Sequence, residues 1–400
     1  MGDGDIPTTL GDSALGLAIS LTIDAGEHNR MGCPVSVVLP VDWDAEHGIH
    51  LCAADGGKVI PCQAWREERG LRLIWKVDGL KAHEKRTLIA SPGAKARAGQ
   101  PRVRLENRDK DGRVDVYIGQ SLFTSYHYAC RWVRPFLYPV IGPGGAQMTR
   151  NWPMRRVRGE HQDHPHHKSI WVAYGECDAV DNWSEEPGHG WQRHQGFLTL
   201  ESGMVCGRLV ARNLWCYPDE SPQFEEIREM QFFGLPGGAK LIDLSVTFHM
   251  NRKAVCFHDT KEGGLVSVRV ASSMDVRNGG RIENAFGGIN EAETWGKPAA
   301  WCDYSGLADG KHVGIAVFDH PMNPRYPTGW HVRDYGLMTA NCFAWRYYNP
   351  DAGLRGDMVF KKGSKTTWRY RLYLHRGDAR QGRVSNKFLD FFAPPAVTLA

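Results

Sequence analysis

The sequence predicts an all-β protein: a large antiparallel β-sandwich with a small N-terminal β domain. Three observations support this prediction: apolar residues recur at every second position, Gly and Pro separate the apolar runs, and helical periodicity is scarce. In "KLIDLSVTFHM", Ile242, Leu244 and Val246 alternate with polar residues, as in a strand with one buried face. Many such strands with short turns are typical of stacked antiparallel sheets.

Shorter segments extend the same pattern along the chain. The further predicted strands are "TWRYRLYLH", "RLIWKV", "VDVYI", "LVSVRV" and "VGIAVF". Helical spacing is found in "DARQGRVSNKFLDFF", where Val384 and Phe388 share a face, although Gly382 weakens this helix. The composition of residues 91–101, "SPGAKARAGQP", predicts a linker. We therefore divide the chain into an N-terminal β domain of residues 1–95 and a sandwich of residues 100–385.

Composition excludes several classes of function. The formal net charge is only +4 and no long basic block is present, so we expect no nucleic-acid partner. No apolar run approaches the roughly 18 residues needed to span a bilayer, so we expect no membrane partner. The ten cysteines include no CxxC pair and no signal segment precedes them, which predicts a cytoplasmic protein with reduced thiols. The oligomeric state stays open, a homo-oligomer included.

Histidines are concentrated between residues 161 and 194. Six of the 17 lie there, where a uniform distribution would place fewer than two: His161, His164, His166, His167, His189 and His194. Histidine transfers protons and binds metals. If "DHPHHKSIW" leads into a strand, His164 and His166 share a face. We predict His166 as the catalytic acid or electrophilic donor and His164 as its support, and both as candidate ligands of a divalent metal. The alternative is a polar loop bonded to its own backbone.

Two further polar segments supply candidate partners. In "HDTKEGG", Glu262 or Asp259 is the predicted base, because a carboxylate in a loop before a strand can exchange protons with a ligand. The second segment is the Pro-rich loop "DHPMNPRYPTGWHVRDYG". The predicted substrate-binding residues are His167, Lys261, Trp301, His320, Asn323, His331 and Arg333. We expect residues 161–171, 258–264 and 320–333 to converge on one surface; the alternatives are a charged turn and a structural crossover.

Several long motifs resemble a known family. They are "RPFLYPVIGPGG", "DHPHHKSIWVAYG", "DNW", "DTKEGG", "WGKPAAWCDYSG" and "HPMNPRYPTGWHVRDYG", and they resemble the bacterial PmoA-like proteins catalogued as "methane oxygenase PmoA" over residues 113–375. The membrane methane monooxygenase subunit of that name is a multispanning helical protein, so the resemblance does not imply methane oxidation. At the level of fold, the family is similar to the galactose-mutarotase-like β-supersandwich, which hosts sugar epimerases, lyases and hydrolases. Such an analogy does not fix a function.

These patterns favour a carbohydrate-active enzyme of sugar catabolism. Its partner would be a small-molecule sugar or glycoside, and its chemistry general acid/base catalysis: glycoside cleavage, lyase-type elimination or epimerisation. One alternative is a metal-dependent oxygenase with a His/carboxylate site, which stoichiometric iron would favour. The other is a non-catalytic sugar-binding module, which an unchanged ligand would favour.

Overall fold

The structure, a computed structural model, describes residues 18–45, 48–93 and 102–399. The chain divides into two compact units, Met1–Gln100 with Pro394–Ala400, and Pro101–Ala393. Most of the predicted linker, residues 94–101, lies outside the described residues, whereas Ser91 and Pro92 end a strand. The C-terminal segment, Pro394–Ala400, belongs to the same unit as the N-terminal domain.

The first unit consists of two small antiparallel sheets. Its strands are β1 (Ile19–Asp24), β2 (Arg30–Leu39), β3 (Ile49–Ala53), β4 (Cys62–Glu67), β5 (Gly70–Leu80), β6 (Lys85–Pro92) and the last strand of the chain, β27 (Ala396–Leu399). One sheet has the order β27-β1-β6-β3 and the other β2-β5-β4. Leu21, Leu73 and Leu88 are fully buried in one apolar core that draws on both sheets.

The second unit is a sandwich of two eight-stranded antiparallel sheets. Sheet I has the order β23 (Gly329–Arg333), β24 (Leu337–Asn341), β19 (Gly263–Arg269), β11 (Ile170–Tyr174), β10 (Phe136–Val140), β9 (Ser121–His127), β8 (Arg113–Ile118), β7 (Val103–Arg108). Sheet II has the order β14 (Trp191–Glu201), β15 (Gly207–Cys216), β16 (Pro222–Gly234), β17 (Lys240–His249), β26 (Lys365–Arg376), β22 (Lys311–Asp319), β21 (Trp301–Ala308), β20 (Arg281–Asn284).

Smaller elements complete this unit. A short sheet has the order β13 (Val180–Asp181), β12 (Glu176–Cys177), β18 (Val255–Phe257), β25 (Met358–Phe360). The helices are α1 (Asn290–Thr294), α2 (Trp345–Tyr348) and α3 (Val384–Phe392). The predicted C-terminal helix thus begins after Gly382, the residue that weakened its pattern. None of the described helices combines the length and apolarity needed to cross a membrane.

The sandwich core lies between the two large sheets. Val172 and Val268 of sheet I join Val246 and Leu372 of sheet II in one buried cluster. The alternation read from the sequence is present in β17, where every second side chain enters this core. The predicted all-β class and large antiparallel sandwich are confirmed.

The face of sheet I that points away from this core is unusual because it is polar and yet buried. Neighbouring residues of a strand point to opposite faces, so Ser267 and Arg269 of β19 point away from the core residue Val268. Both side chains are nevertheless almost fully buried, as are Thr339 and His331 on β24 and β23. Loops therefore cover this outer face, and the histidine-rich segment is one of them.

Candidate active site

His164 is the most constrained histidine of this segment. Its φ of 41° lies in the left-handed region, which residues other than glycine seldom adopt and which often marks functional sites. Its ring stacks on those of Tyr335 and His167, with centroids 5.1 and 4.7 Å apart. Arg150 Nη2 donates a hydrogen bond to its carbonyl oxygen at 2.8 Å. About 39% of the side chain is still exposed, so a ligand can reach a ring held in one orientation.

Asp163 links His164 to two buried arginines. Its Oδ1 accepts hydrogen bonds from Arg269 Nη2 at 2.7 Å and from Arg150, and both guanidinium groups are almost fully buried. His164 Nδ1 lies 3.3 Å from the same oxygen, an ion-pair distance. Burial raises the pKa of Asp163, but His164, Arg269 and Arg150 outweigh it and bring the pKa well below its usual range. An ionised carboxylate therefore lies beside one ring nitrogen of His164, and the side chain remains partly exposed.

The other two histidines depart from their predicted roles. Burial, together with Arg134, lowers the pKa of His166 to about 3, so this imidazole is neutral at pH 7 and is not the protonated acid that we predicted; the role of a neutral hydrogen-bonding group remains. His167 is almost fully buried and stacks on Trp171, and its Nδ1 accepts from Arg269 Nη1 at 3.0 Å. The predicted contact of His167 with substrate is therefore corrected to a packing role beneath His164.

The segment 258–264 reaches the same surface. His331 Nδ1 donates to the carbonyl oxygen of Lys261 at 2.6 Å, and its buried Nε2 has no partner among the described residues. Burial lowers the pKa of His331 to about 4, although Glu262 opposes the shift. Glu262 pairs with the ammonium group of Lys261 and keeps 45% of its side chain exposed. Burial raises the pKa of Tyr335, while the charges of Arg333 and Arg269 oppose the shift.

Cations surround the same tyrosine. The guanidinium groups of Arg269, Arg277 and Arg333 lie 4.7, 5.6 and 5.5 Å from the ring centroid of Tyr335. Arg333 also lies 3.0 Å from a carboxylate oxygen of Glu291 and stays partly exposed. Arg333 therefore lies beside the ring that stacks on His164, where charged hydrogen-bond donors are concentrated.

Comparison with known proteins gives one assignment. The model of a "Family of unknown function (DUF6807)" matches residues 113–388. The chain belongs to this family. The matched region contains the motifs that suggested the PmoA-like family, so that expectation is wrong. A search of curated proteins found no match.

One solved structure that is similar to this DUF6807 member is a protein in the Glycosyl Hydrolase Family 38 from Enterococcus faecalis. The TM-score is 0.42 and the sequence identity 10%, over 96% of this chain. The chain spans 47% of that protein's length. A likeness at this level carries no argument about activity.

Asp259 of this DUF6807 member does not serve the site as the predicted base. The side chain is almost fully buried, and its Oδ2 accepts backbone N–H groups of Arg346 at 2.9 Å and of Gly356 at 2.6 Å. A carboxylate bonded in this way fixes the loop around α2. The correction leaves Glu262 as the exposed carboxylate of this segment.

The first part of the Pro-rich loop, which contains His320 and Asn323, also lies away from the histidine-rich segment. His320 packs edge-on against Phe391 of α3, with ring centroids 5.0 Å apart. Asn323 bonds to the carboxylate of Asp319 and, in both directions, to the backbone of Arg369. Trp301 begins β21 of sheet II. These three residues therefore lie at sheet II, and for His320 and Asn323 the reason is that the loop crosses from that sheet before β23 begins.

Sequence reasoning missed the residues that hold His164 in place. Asp163 stood inside the quoted motif but received no role, and Arg150, Arg269 and Tyr335 were not considered. A signal did exist for Arg269, since it is a lone charge at the end of the apolar strand "LVSVRV". A cation at a strand position that should be buried needs a partner, and here the partner is Asp163.

The group of described side chains that has the spacing of metal ligands lies apart from His164 and His166 in sequence. Among the described residues, one group of three side chains has the spacing of metal ligands, and it consists of Cys256, His258 and Asp357. His164 and His166 are not part of it.

Acidification should destabilise the protein through His166. Below pH 6.5 the unfolded chain binds a proton that the folded state, with a pKa of about 3, does not bind, so stability falls as the pH falls. Between pH 6.5 and 5 this residue alone should cost up to about 2 kcal/mol of unfolding free energy. Urea unfolding at pH 7, 6 and 5 measures the slope, which His166→Gln should reduce. Replacement of the exposed His312 by Gln is the matched control; equal slopes in both variants would contradict this expectation.

Proposed function

We propose that this DUF6807 member is a carbohydrate-active enzyme in which His164 transfers a proton to or from a sugar. The observation that carries the proposal is the Asp163–His164 pair, fixed by two buried arginines and still open to solvent. A base must be held in one orientation and must reach its ligand, and His164 meets both conditions. Two buried cations on one carboxylate are more than packing needs, since burying charge is costly.

The charged groups of segment 258–264 and of β23 favour a ligand rich in hydroxyl groups. Lys261 and Arg333 supply charged donors, and Glu262 supplies an exposed acceptor. Charged groups form the stronger hydrogen bonds with hydroxyls. Glu262 can also take the second proton-transfer role, because catalysis at a sugar needs one group that gives a proton and one that takes it. The neutral His166 beside His164 adds a hydrogen-bonding group.

One experiment separates the three chemistries that such a pair of groups can perform. The purified chain is incubated in D2O with a panel of glycosides, glycuronides and free sugars, and the products are followed by NMR. Glycoside cleavage gives a new anomeric signal, elimination gives a vinylic signal, and epimerisation exchanges one ring proton for deuterium. Turnover that is lost in His164→Ala supports the proposal. Binding without any chemical change across the panel would instead indicate a sugar-binding module and overturn it.

Replacing Glu262 by Gln should lower turnover by about 10²-fold or more if the carboxylate exchanges a proton with the sugar. The unfolding free energy should change by less than about 1 kcal/mol, because the exposed pair with Lys261 contributes little. The same change at the exposed Glu186 is the control. Full turnover in Glu262→Gln would remove this residue from the mechanism and leave the role of His164 to be tested alone.

A further inference from the structure

We propose that Cys256, His258 and Asp357 form a separate site that binds Zn²⁺. Cys256 lies on β18 of the short sheet, His258 directly follows this strand, and Asp357 directly precedes β25. Cys256 and His258 flank Phe257, which is fully buried in the core, so strand alternation turns both of them outward. The antiparallel register pairs Phe257 with Met358 and so brings Asp357 opposite His258. The backbone therefore gathers a thiol, an imidazole and a carboxylate at one point.

The spacing of the three side chains suits an ion with tetrahedral coordination. His258 Nδ1 lies 3.7 Å from Cys256 Sγ and 3.1 Å from Asp357 Oδ1, and all three ligand atoms lie within 4.8 Å of one another. Zinc binds sulfur at about 2.3 Å and nitrogen or oxygen at about 2.0–2.1 Å, so neighbouring ligands of one ion stand roughly 3.3–3.6 Å apart. Small rotations of side chains are enough to close the site.

Hydrogen bonding gives the thiol of Cys256 only a weak partner, at 3.7 Å. Both the thiol and the carboxylate approach Nδ1 of His258, and one ring nitrogen carries at most one proton. A nucleophilic relay would need the thiol on one ring nitrogen and the carboxylate on the other. All three groups could instead coordinate one ion bound between them. The partial exposure of His258 and Asp357 leaves room for water as a fourth ligand.

Neighbouring groups hold the ligands in position. Arg355 donates to both oxygens of Asp357, from Nε to Oδ2 at 2.7 Å and from Nη2 to Oδ1 at 3.2 Å, and the backbone N–H of Asp259 donates to Oδ1 at 3.3 Å. The hydroxyl of Tyr174 donates to the carbonyl oxygen of His258. Such outer contacts orient metal ligands. A set of sulfur, nitrogen and oxygen donors selects zinc over magnesium or calcium, which prefer oxygen alone.

Cobalt titration of the full chain, first treated with a chelator, tests the site. We expect one Co²⁺ per chain, with the near-ultraviolet absorption of a cobalt–thiolate bond, and its displacement by Zn²⁺. Cys256→Ser should abolish this absorption, and His258→Ala or Asp357→Asn should weaken binding by more than about tenfold, which is the effect of losing even an outer partner. Cys130→Ser removes an exposed thiol elsewhere and should behave as wild type.

The opposite results would overturn the assignment. These are no stoichiometric binding, an absorption that persists in Cys256→Ser, or its loss in Cys130→Ser. Circular dichroism of each metal-free variant shows whether it folds; should Cys256→Ser fail to fold, the outward-facing His258→Ala and Asp357→Asn decide the question by their affinity. The readout is spectral and needs no substrate, so its outcome is independent of sugar turnover.

Discussion

If His164 transfers a proton as proposed, His164→Ala should lower turnover by about 10²- to 10⁴-fold, the range expected for loss of a positioned proton-transfer group. The unfolding free energy stays within about 1 kcal/mol of the wild-type value, because the side chain is partly exposed and lies outside the core. The guanidinium groups of Arg150 and Arg269 keep their carboxylate partner Asp163 in this variant, so the buried charges remain balanced.

The neighbouring His167 provides the matched control. It is almost fully buried, stacks on Trp171 and accepts a hydrogen bond from Arg269. His167→Ala leaves a cavity and an unpaired donor, which together cost about 2–4 kcal/mol, while turnover per folded molecule falls less than in His164→Ala. Urea unfolding and turnover are measured on both purified variants. Full turnover in His164→Ala, or equal loss of stability in both, would show that the segment is structural.

The largest loss of stability is expected for Glu226→Ala, about 3–5 kcal/mol of unfolding free energy. Glu226 lies in the sandwich core on β16, and its carboxylate pairs with the buried guanidinium group of Arg228. Trp215 Nε1 donates to its Oε2 at 2.6 Å. Removing the carboxylate leaves the Arg228 charge in the core without its counterion, and that cost exceeds anything the vacated volume adds.

Glu229→Ala is the control for this substitution. Glu229 lies on the same strand but on its outer face, where it is partly exposed and pairs with Arg208 at 2.9 Å. An ion pair of this kind contributes about 0–1 kcal/mol. Urea unfolding curves of the two variants give the difference in midpoint. If both variants unfold at the same urea concentration, the argument from buried charge is wrong.

The sequence by itself determined the class of fold. The alternation of apolar and polar residues in β17 and β26 is a local property. Each strand has one face toward the core and one toward its surroundings, so apolar residues recur at every second position. The turns are local as well, since Gly and Pro act on their own backbone. The sequence also showed where polar chemistry is concentrated, because the enrichment of histidines needs no knowledge of contacts.

Only the tertiary structure decided which side chains meet. A period of two assigns faces, but it does not say which strands are neighbours or which loop covers a face. Thus β27, the last described strand, pairs with β1, the first described strand, although almost the whole sequence separates them. Residues 320–323 pack on sheet II, whereas His331, a few positions later, lies on sheet I. The ion pairs of Asp163 with Arg150 and Arg269 depend on contacts between segments that are distant in sequence. The sequence indicates that Arg269 needs a partner, but only the fold shows that this partner is Asp163.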